Sequence, residues 1–195
     1  CYQLTLEPNT AFAARPPELP ESDVCADMQE AIEARLAAAG FTHYETSAFA
    51  HPGRQCRHNL NYWTFGDYLG IGAGAHGKLT LHDGQRWEVR RQMRWKQPKQ
   101  YLAQIAKAAP VQEEFAVEAG DLPFEFMMNA LRLNQGFEPD LFAMRTSLPL
   151  ITIESELRRA EQQGLIERQL QRIAPTLQGQ RFLNRLLELF MSERD

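Results

Sequence analysis

The first half of the chain alternates strand-like segments with a segment that has the spacing of a helix. Residues 2–6 predict a strand that ends in turn residues, and residues 43–50 predict a second strand. Between them, apolar residues recur at every fourth position and share one face of a helix that ends at Gly40. Strand, helix and strand in this order predict a βαβ unit and therefore a parallel sheet. The residues on the helix face are Val24, Met28, Ile32 and Leu36.

The pattern then changes to alternation of apolar and polar residues over residues 78–91, which predicts a β-hairpin. The pair Asp83-Gly84 near its centre favours a type I′ turn. A helix over residues 99–108 follows the hairpin. The alternating apolar residues are Leu79, Leu81, Trp87 and Val89.

The second half of the chain is predicted to be helical and then mixed. Asp121 can cap a helix that is apolar nearly all round, so this helix is expected to be buried, and Gly136 ends it. Two shorter helices, a small hairpin and an amphipathic helix follow, an order that suggests a winged-helix-like subdomain. These elements are predicted near residues 140–145, 153–163, 165–166, 170–173 and 181–191.

The charge is distributed unevenly along the 195 residues. The net charge of −4 is the sum of +1 over residues 1–109 and −5 over residues 110–195, which predicts two domains that meet near Ala109-Pro110. The acidic second domain argues against a winged helix that binds DNA, because phosphates would be repelled. No apolar run approaches the roughly 18 residues that span a bilayer, so an integral membrane protein is excluded.

The three cysteines, Cys1, Cys25 and Cys56, are odd in number and far apart. This usage favours a reducing compartment over a disulfide framework. The spacing also excludes C-x-x-C ligation of zinc or of an iron–sulfur cluster within the chain. The sequence begins at Cys1 rather than at Met, directly before a predicted strand, which we interpret as a cut in a longer protein.

The run Gly72-Ala73-Gly74-Ala75-His76-Gly77 matches the dinucleotide fingerprint G-x-G-x-x-G. That fingerprint requires a helix after the loop, whereas residues 78–81 predict a strand, so we reject a Rossmann site. Glycines at 70, 72 and 74 would let a flat ligand approach the backbone closely. A tightly packed strand at a sheet edge explains them equally well, and both interpretations stay open.

Residues 56–63 bring a thiol, a guanidinium, an imidazole, two amides and two aromatic rings into one short segment. Imidazole and thiolate both ligate heme iron, Tyr62 and Trp63 could stack on a porphyrin, and Arg57 could pair with its carboxylates. On composition alone, a loop with satisfied polar groups and core aromatics is the better explanation.

A basic stretch with interleaved tryptophans spans residues 86–99. Basic and aromatic residues together can bind nucleic acid, and an anionic cofactor or partner is a further alternative. A solvated strand face is the commoner meaning of such a run. Its members are Arg86, Trp87, Arg90, Arg91, Arg94, Trp95, Lys96 and Lys99.

Several segments in order resemble one family. Residues 2–12 resemble the Y-x-L-x-x-E-x-x-T-x-F segment of the oxygen-independent coproporphyrinogen III oxidase-like branch of the radical SAM superfamily. Residues 44–50, 56–63 and 68–76 continue the match, and residues 164–182 resemble the C-terminal domain of that family. Within this branch, H-N-x-x-Y-W marks the HemW-type heme chaperones. Here that element is His58-Asn59 with Tyr62-Trp63.

The resemblance implies an α/β fold: the C-terminal part of a partial (β/α)6 radical SAM barrel, then a small, mostly helical, winged-helix-like domain. It implies S-adenosylmethionine (SAM) and a [4Fe–4S] cluster as cofactors, and heme as the cargo delivered to hemoproteins. The matching residues give a heme set with His58 as iron ligand, and a set at the adenosyl group of SAM. The heme set is Cys56, Arg57, His58, Asn59, Tyr62 and Trp63, and the adenosyl set is Gln3, Gly74, Ala75 and His76.

The chain departs from the family in lacking the C-x-x-x-C-x-x-C that binds the cluster. The resemblance therefore implies the C-terminal half of a longer protein. It also implies a cytoplasmic location, with contact at the inner membrane during delivery, and leaves a homodimer open. The alternative is an enzyme, an oxygen-independent coproporphyrinogen III oxidase that uses SAM for oxidative decarboxylation; no catalytic residue is assigned in this chain.

Overall fold

The computed structural model describes residues 4–82 and 87–191. It divides the chain into two compact units, Cys1–Gln55 and Cys56–Asp195. The domain boundary near Ala109-Pro110 stays a prediction.

The first unit is built from two helices and a pair of short strands. Thr10 caps the first helix by accepting a hydrogen bond from the Ala13 N–H at 3.2 Å. The second helix covers the segment that the apolar spacing predicts, and Gly40 follows it at a φ of +82°. The elements are α1 (Ala11–Ala14), α2 (Ser22–Ala38), β1 (Thr42–Glu45) and β2 (Ala48–Ala50).

The parallel βαβ unit predicted for this region is not formed by the described residues. Residues 4–6 form no strand, and residues 1–3 lie outside the described part of the chain. The predicted strand over residues 43–50 is two strands, β1 and β2, that pair antiparallel. A turn separates them, where the Ser47 N–H donates to the Glu45 carboxylate at 3.1 Å and the chain reverses.

The second unit begins with a helix and an antiparallel sheet of three strands in the order β3-β4-β5. The predicted hairpin is confirmed, with Lys78 opposite Arg91 and His82 opposite Trp87. The turn predicted at Asp83-Gly84 lies outside the described residues. The elements are α3 (Arg57–Trp63), β3 (His76–His82), β4 (Trp87–Arg94), α4 (Pro98–Ile105) and β5 (Val111–Ala116).

The rest of this unit is a helical core with one small hairpin. The buried helix predicted after Asp121 is present, but it ends at Ala130 rather than at Gly136. The last helix, predicted over residues 181–191, covers Leu183–Glu188, and a separate short helix, Leu177–Arg181, precedes it. A 3₁₀ helix spans Leu150–Ile153. The elements are α5 (Leu122–Ala130), α6 (Pro139–Thr146), α7 (Glu154–Gln162), β6 (Ile166–Gln169), β7 (Arg172–Pro175), α8 (Leu177–Arg181) and α9 (Leu183–Glu188).

An aromatic cluster lies at the centre of the core of the second unit. The Phe126 ring of α5 is fully buried and meets the rings of Phe65, Phe137 and Phe142 edge to face, with centroid separations of 5.8, 5.1 and 5.2 Å. Such edge contacts are favourable because a positive ring edge faces a negative ring face. Phe65 follows α3 directly, so the core fixes the end of the helix that carries the predicted heme residues.

Candidate functional site

The helix α3 carries the predicted heme set, with Cys56 as the residue before its first turn. His58 and Tyr62 are four residues apart and therefore lie on one helix face. The His58 imidazole is exposed and meets the half-buried Tyr62 ring edge to face, with the ring centroids 4.7 Å apart. The imidazole is thus open to solvent while one of its sides rests on an aromatic ring.

Tyr68 also contacts Tyr62. The two rings lie 4.3 Å apart. The backbone of Tyr68 is fixed to β3, because its N–H donates to the Lys78 carbonyl at 2.9 Å and its carbonyl accepts the Lys78 N–H at 3.0 Å. Its hydroxyl accepts a hydrogen bond from Nη1 of Arg91 at 3.1 Å. Burial raises the pKa of the Tyr68 phenol, with Arg91 opposing the rise.

Arg91 is held in turn by Glu125 of α5. Its Nε and Nη2 atoms donate to Oε2 of Glu125 at 3.0 and 2.5 Å, and both side chains are about four-fifths buried. Hydrogen bonds between ionised groups are the strong ones in proteins. The chain of contacts therefore runs from α5 through Arg91 and the two tyrosines to His58.

The end of α3 is fixed by an unusual cap. The Gly66 N–H donates to the Asn61 carbonyl at 2.7 Å and the Phe65 N–H donates to the Tyr62 carbonyl at 2.9 Å, which is the Schellman pattern. Phe65 takes the left-handed position at a φ of +54°, where glycine is usual. Burial of its ring, which is 1% exposed, offsets that backbone strain.

Lys78 is a buried cation that contacts the residue capping α3. Its ammonium group lies 4.1 Å from the centroid of the Phe65 ring and donates to the Phe65 carbonyl at 3.0 Å. It also donates to Oδ1 of Asp67 at 2.8 Å and to Oγ1 of Thr80 at 3.3 Å. Burial lowers the pKa of Lys78, against the effect of Asp67. Burial alone would raise the pKa of Asp67, but hydrogen bonds from Lys78 and Thr80 outweigh it, and that pKa is lowered.

Trp63 lies on the neighbouring face of α3. Its ring faces the guanidinium carbon of Arg132 at 5.0 Å, a cation–π contact. Its Nε1 atom is buried and has no hydrogen-bond partner among the residues that the structure describes. Asn59, four residues earlier, is half-buried. The remaining members of the heme set, Cys56 and Arg57, are exposed.

The predicted adenosyl residues lie in the loop that leads into β3. The Gly74 N–H donates to the Trp95 carbonyl at 2.9 Å, and the Ala75 N–H donates to the Gly72 carbonyl at 3.2 Å. His76 is exposed at the start of β3. Both backbone donors are thus used within the protein. Gln3, the last member of this set, lies outside the described residues.

The glycines of this loop are explained by different structural requirements. A Cβ on Gly70 would lie 2.3 Å from the His76 carbonyl oxygen, so at this position close packing explains the glycine. Gly72 has a φ of +109° and open space around it, and its N–H donates to the Tyr101 hydroxyl at 3.0 Å. The loop leads into β3 rather than a helix, which agrees with the rejection of a Rossmann site.

The basic stretch is only partly a solvated face. Arg90 pairs with Glu88 and Glu114 on the exposed side of the sheet, as a solvated face would. Arg91 instead faces Glu125, and Nε of Arg94 donates to the Gly70 carbonyl at 2.9 Å. Arg86 lies outside the described residues.

Sequence analysis did not single out Tyr68, Lys78 and Glu125 as functional residues, and it named Arg91 only as a member of the basic stretch. All four side chains belong to the contacts that support α3. The turn predicted at Asp83-Gly84 sets Val89 opposite Lys78, so the hairpin pattern does not identify Arg91. Glu125 interrupts the apolar α5, and a carboxylate in a buried helix requires a cationic partner, which is the available sequence signal.

Metal ligands do not gather anywhere in residues 4–82 and 87–191: no group of three or more His, Cys, Asp or Glu side chains could hold an ion there. Within the same ranges, no helix has both the length and the apolar character needed to cross a membrane.

Comparison with known proteins gives relatives over the whole chain. Residues 117–182 match the HemN C-terminal domain. The heme chaperone HemW of Haemophilus influenzae is 46% identical over 192 residues, which are 98% of this chain and 48% of that protein. The heme chaperone HemW of Escherichia coli is 44% identical over 98% of this chain and 49% of that protein. The chain spans about half the length of these curated relatives.

A solved structure shares the fold. Coproporphyrinogen III oxidase (HemN) from Escherichia coli, a radical SAM enzyme, superposes with a TM-score of 0.63 at 16% identity, over 90% of this chain and 43% of that one. At this identity the likeness concerns the fold alone, which is mixed α/β in both. The sequence relatives confirm the family resemblance stated from the motifs.

Proposed function

We propose that this chain, a relative of the HemW proteins that carries a HemN C-terminal domain, binds heme and passes it to hemoproteins. The observation that carries the proposal is the exposed imidazole of His58 on a helix whose other end is fixed in the core. Histidine is a common axial ligand of heme iron. A chaperone must also release its cargo, which suits one protein ligand at an open surface.

The other members of the heme set take supporting roles in this proposal. Arg57 is exposed beside His58 and would pair with a propionate of the heme. Tyr62 and Trp63 would limit the orientations of the porphyrin through contact with ring edges and faces. Cys56 would contribute an exposed side chain next to the bound heme, and Asn59 would shape the site.

The described residues do not fit the iron–sulfur cluster. Cys25 and Cys56 lie in different units, and no ligand cluster is present among the described residues. We assign the cluster and most of the SAM site to the full-length protein rather than to this chain. Contact of Gly74, Ala75 and His76 with the adenosyl group would use carbonyl oxygens or the imidazole, because the two backbone donors are engaged.

The proposal includes the finer features that the resemblance implies. Residues 1–109 would form the last part of a partial (β/α)6 barrel, and residues 110–195 a winged-helix-like domain. Recipient hemoproteins are the proposed partners, in the cytoplasm and at the inner membrane surface during delivery. A homodimer is the assembly to look for.

A heme titration of the full-length protein tests the proposal. His58→Ala should weaken heme binding and change the absorption spectrum of the complex. The matched control is His82→Ala, which removes another exposed imidazole, one that contacts Trp87 on the hairpin. Equal affinity and identical spectra for the two variants would show that His58 is not the ligand. Anaerobic conversion of coproporphyrinogen III to protoporphyrinogen would instead support the oxidase alternative.

A further inference from the structure

We infer that Tyr68, held by Arg91 and Glu125, is a positioning residue for the heme ligand: it fixes the ring of Tyr62 and thereby the imidazole of His58. This inference rests on the proposed function, because it matters for heme only if His58 binds the iron. Tyr68 itself touches neither the imidazole nor, in this account, the heme.

The first support is that Tyr68 is fixed at both of its ends. Its backbone forms a two-way bridge with Lys78 of β3, and its hydroxyl accepts from Arg91 of β4 at 3.1 Å. The ring between these two anchors contacts Tyr62 with the centroids 4.3 Å apart. A ring held at the backbone and at the hydroxyl cannot tilt freely, so it presents a defined surface to Tyr62.

The second support is that each of the two cations near the tyrosines, Lys78 and Arg91, has its own carboxylate partner. Lys78 and Arg91 lie opposite each other in the sheet, and both approach the Phe65 ring, at 4.1 and 5.9 Å. Asp67 pairs with Lys78, and Glu125 takes two of the Arg91 donors. With Nε and Nη2 engaged by Glu125, Nη1 of Arg91 is left directed at the Tyr68 hydroxyl.

The third support is the shape of α3. It has seven residues, and its C-terminal end is fixed by the Phe65 cap. His58 lies in the first turn, and its ring centroid is 4.7 Å from that of Tyr62. An exposed side chain loses rotational freedom when it binds, and a neighbour that restricts it beforehand reduces this loss.

The test uses Tyr68→Phe in the full-length protein, with Tyr101→Phe as the matched control. Both changes remove one hydroxyl that accepts a single hydrogen bond, from Arg91 in one case and from the Gly72 N–H in the other. The first readout is the NMR signals of the His58 ring protons, which the Tyr62 ring current shifts, recorded without heme. The second is heme affinity, also measured in His58→Ala and in the double variant His58→Ala with Tyr68→Phe.

Tyr68→Phe should move the His58 signals and weaken heme binding by roughly threefold to tenfold, the range of the net contribution of one ordinary hydrogen bond. Tyr101→Phe should leave both unchanged. In the His58→Ala background, Tyr68→Phe should have no further effect on affinity. Unchanged His58 signals, or an equal loss of affinity in both backgrounds, would overturn the inference. Normal heme binding by His58→Ala would refute the assignment of His58 as the iron ligand, and failure of the wild-type protein to bind heme would refute the proposed function. In both cases the heme-free NMR comparison would still decide whether Tyr68 positions the imidazole.

Discussion

The helix α3 and the glycine loop over residues 69–75 were both predicted to contact a ligand, but they differ in which of their groups are exposed. The helix exposes His58 and Arg57 on a base of buried contacts. The loop turns its Gly72, Gly74 and Ala75 donors inward, onto groups of the protein itself. A ligand needs groups that are both exposed and held in place, and α3 alone combines the two.

Substitutions in the two regions should therefore affect different properties, stability in one case and heme affinity in the other. Substitutions in the loop should reduce stability and leave heme affinity alone, because the loop makes internal contacts. Substitutions on the exposed face of α3 should reduce heme affinity with little effect on stability, since exposed side chains contribute little to folding. Substitutions of the buried residues that support α3 should reduce both stability and heme affinity.

Gly70→Ala should give the largest loss of stability. Its Cβ would lie 2.3 Å from the His76 carbonyl oxygen, a backbone atom that cannot move without disturbing the start of β3. We expect unfolding in urea to show a loss of about 3 kcal/mol. The heme affinity of the folded fraction should be unchanged, and a selective loss of heme binding would break the comparison.

Lys78→Met should give the second largest loss of stability. It keeps the buried stem but removes the hydrogen bonds to Phe65, Asp67 and Thr80. The expected loss is about 2 kcal/mol in the free energy of unfolding, because a buried carbonyl loses its partner. Lys96→Met, at an exposed position, is the control and should change stability by less than about 0.5 kcal/mol. Similar losses in the two variants would contradict this account.

Gly72→Ala separates backbone strain from crowding. No atom lies within 4 Å of the added Cβ, but the φ of +109° disfavours any side chain. Thermal or urea unfolding should show a loss of about 1 to 2 kcal/mol, smaller than that of Gly70→Ala. A loss as large as at Gly70 would mean that the loop is more closely packed than the structure shows.

Asp67→Asn should have the smallest effect, and it should depend on pH. The folded-state pKa of Asp67 lies below its ordinary value of 3.8, so its contribution is complete above that value and is lost as the pH falls through the folded-state pKa. The Asp67 side chain is 40% exposed, so its ion pair with the buried Lys78 is worth about 0.5 to 1 kcal/mol at pH 7. The variant should therefore lose less stability than the wild type as the pH falls below 3.8 and through the folded-state pKa, measured by urea titration at each pH. Parallel acid losses in both proteins would contradict this.

Local patterns predicted most of the elements in the second unit. The hairpin, the buried α5 and the helix before Gly164 follow from alternation, all-round apolar character and capping residues, which depend on neighbours in sequence. The parallel sheet of the first unit was wrong for the described residues. The segment 43–50 was read as one strand, because nothing in its alternation marks the reversal at Ser47.

The support of α3 could not be predicted, because its pairs are distant in sequence. Arg91 and Glu125 are 34 residues apart. A two-residue turn at Asp83-Gly84 would set Lys78 opposite Val89, whereas the observed register sets Lys78 opposite Arg91. The heme residues were predicted from the H-N-x-x-Y-W element, which identifies these side chains but not the residues that contact them in the fold.

The most direct test of the central claim is chemical rescue of the proposed iron ligand. His58→Gly in the full-length protein removes the imidazole, and free imidazole can then take its place at the iron. The account predicts that the heme absorption spectrum changes in the variant and returns to that of the wild type when imidazole is added, with His82→Gly unaffected throughout. A variant that binds heme with the wild-type spectrum before any imidazole is added would contradict it.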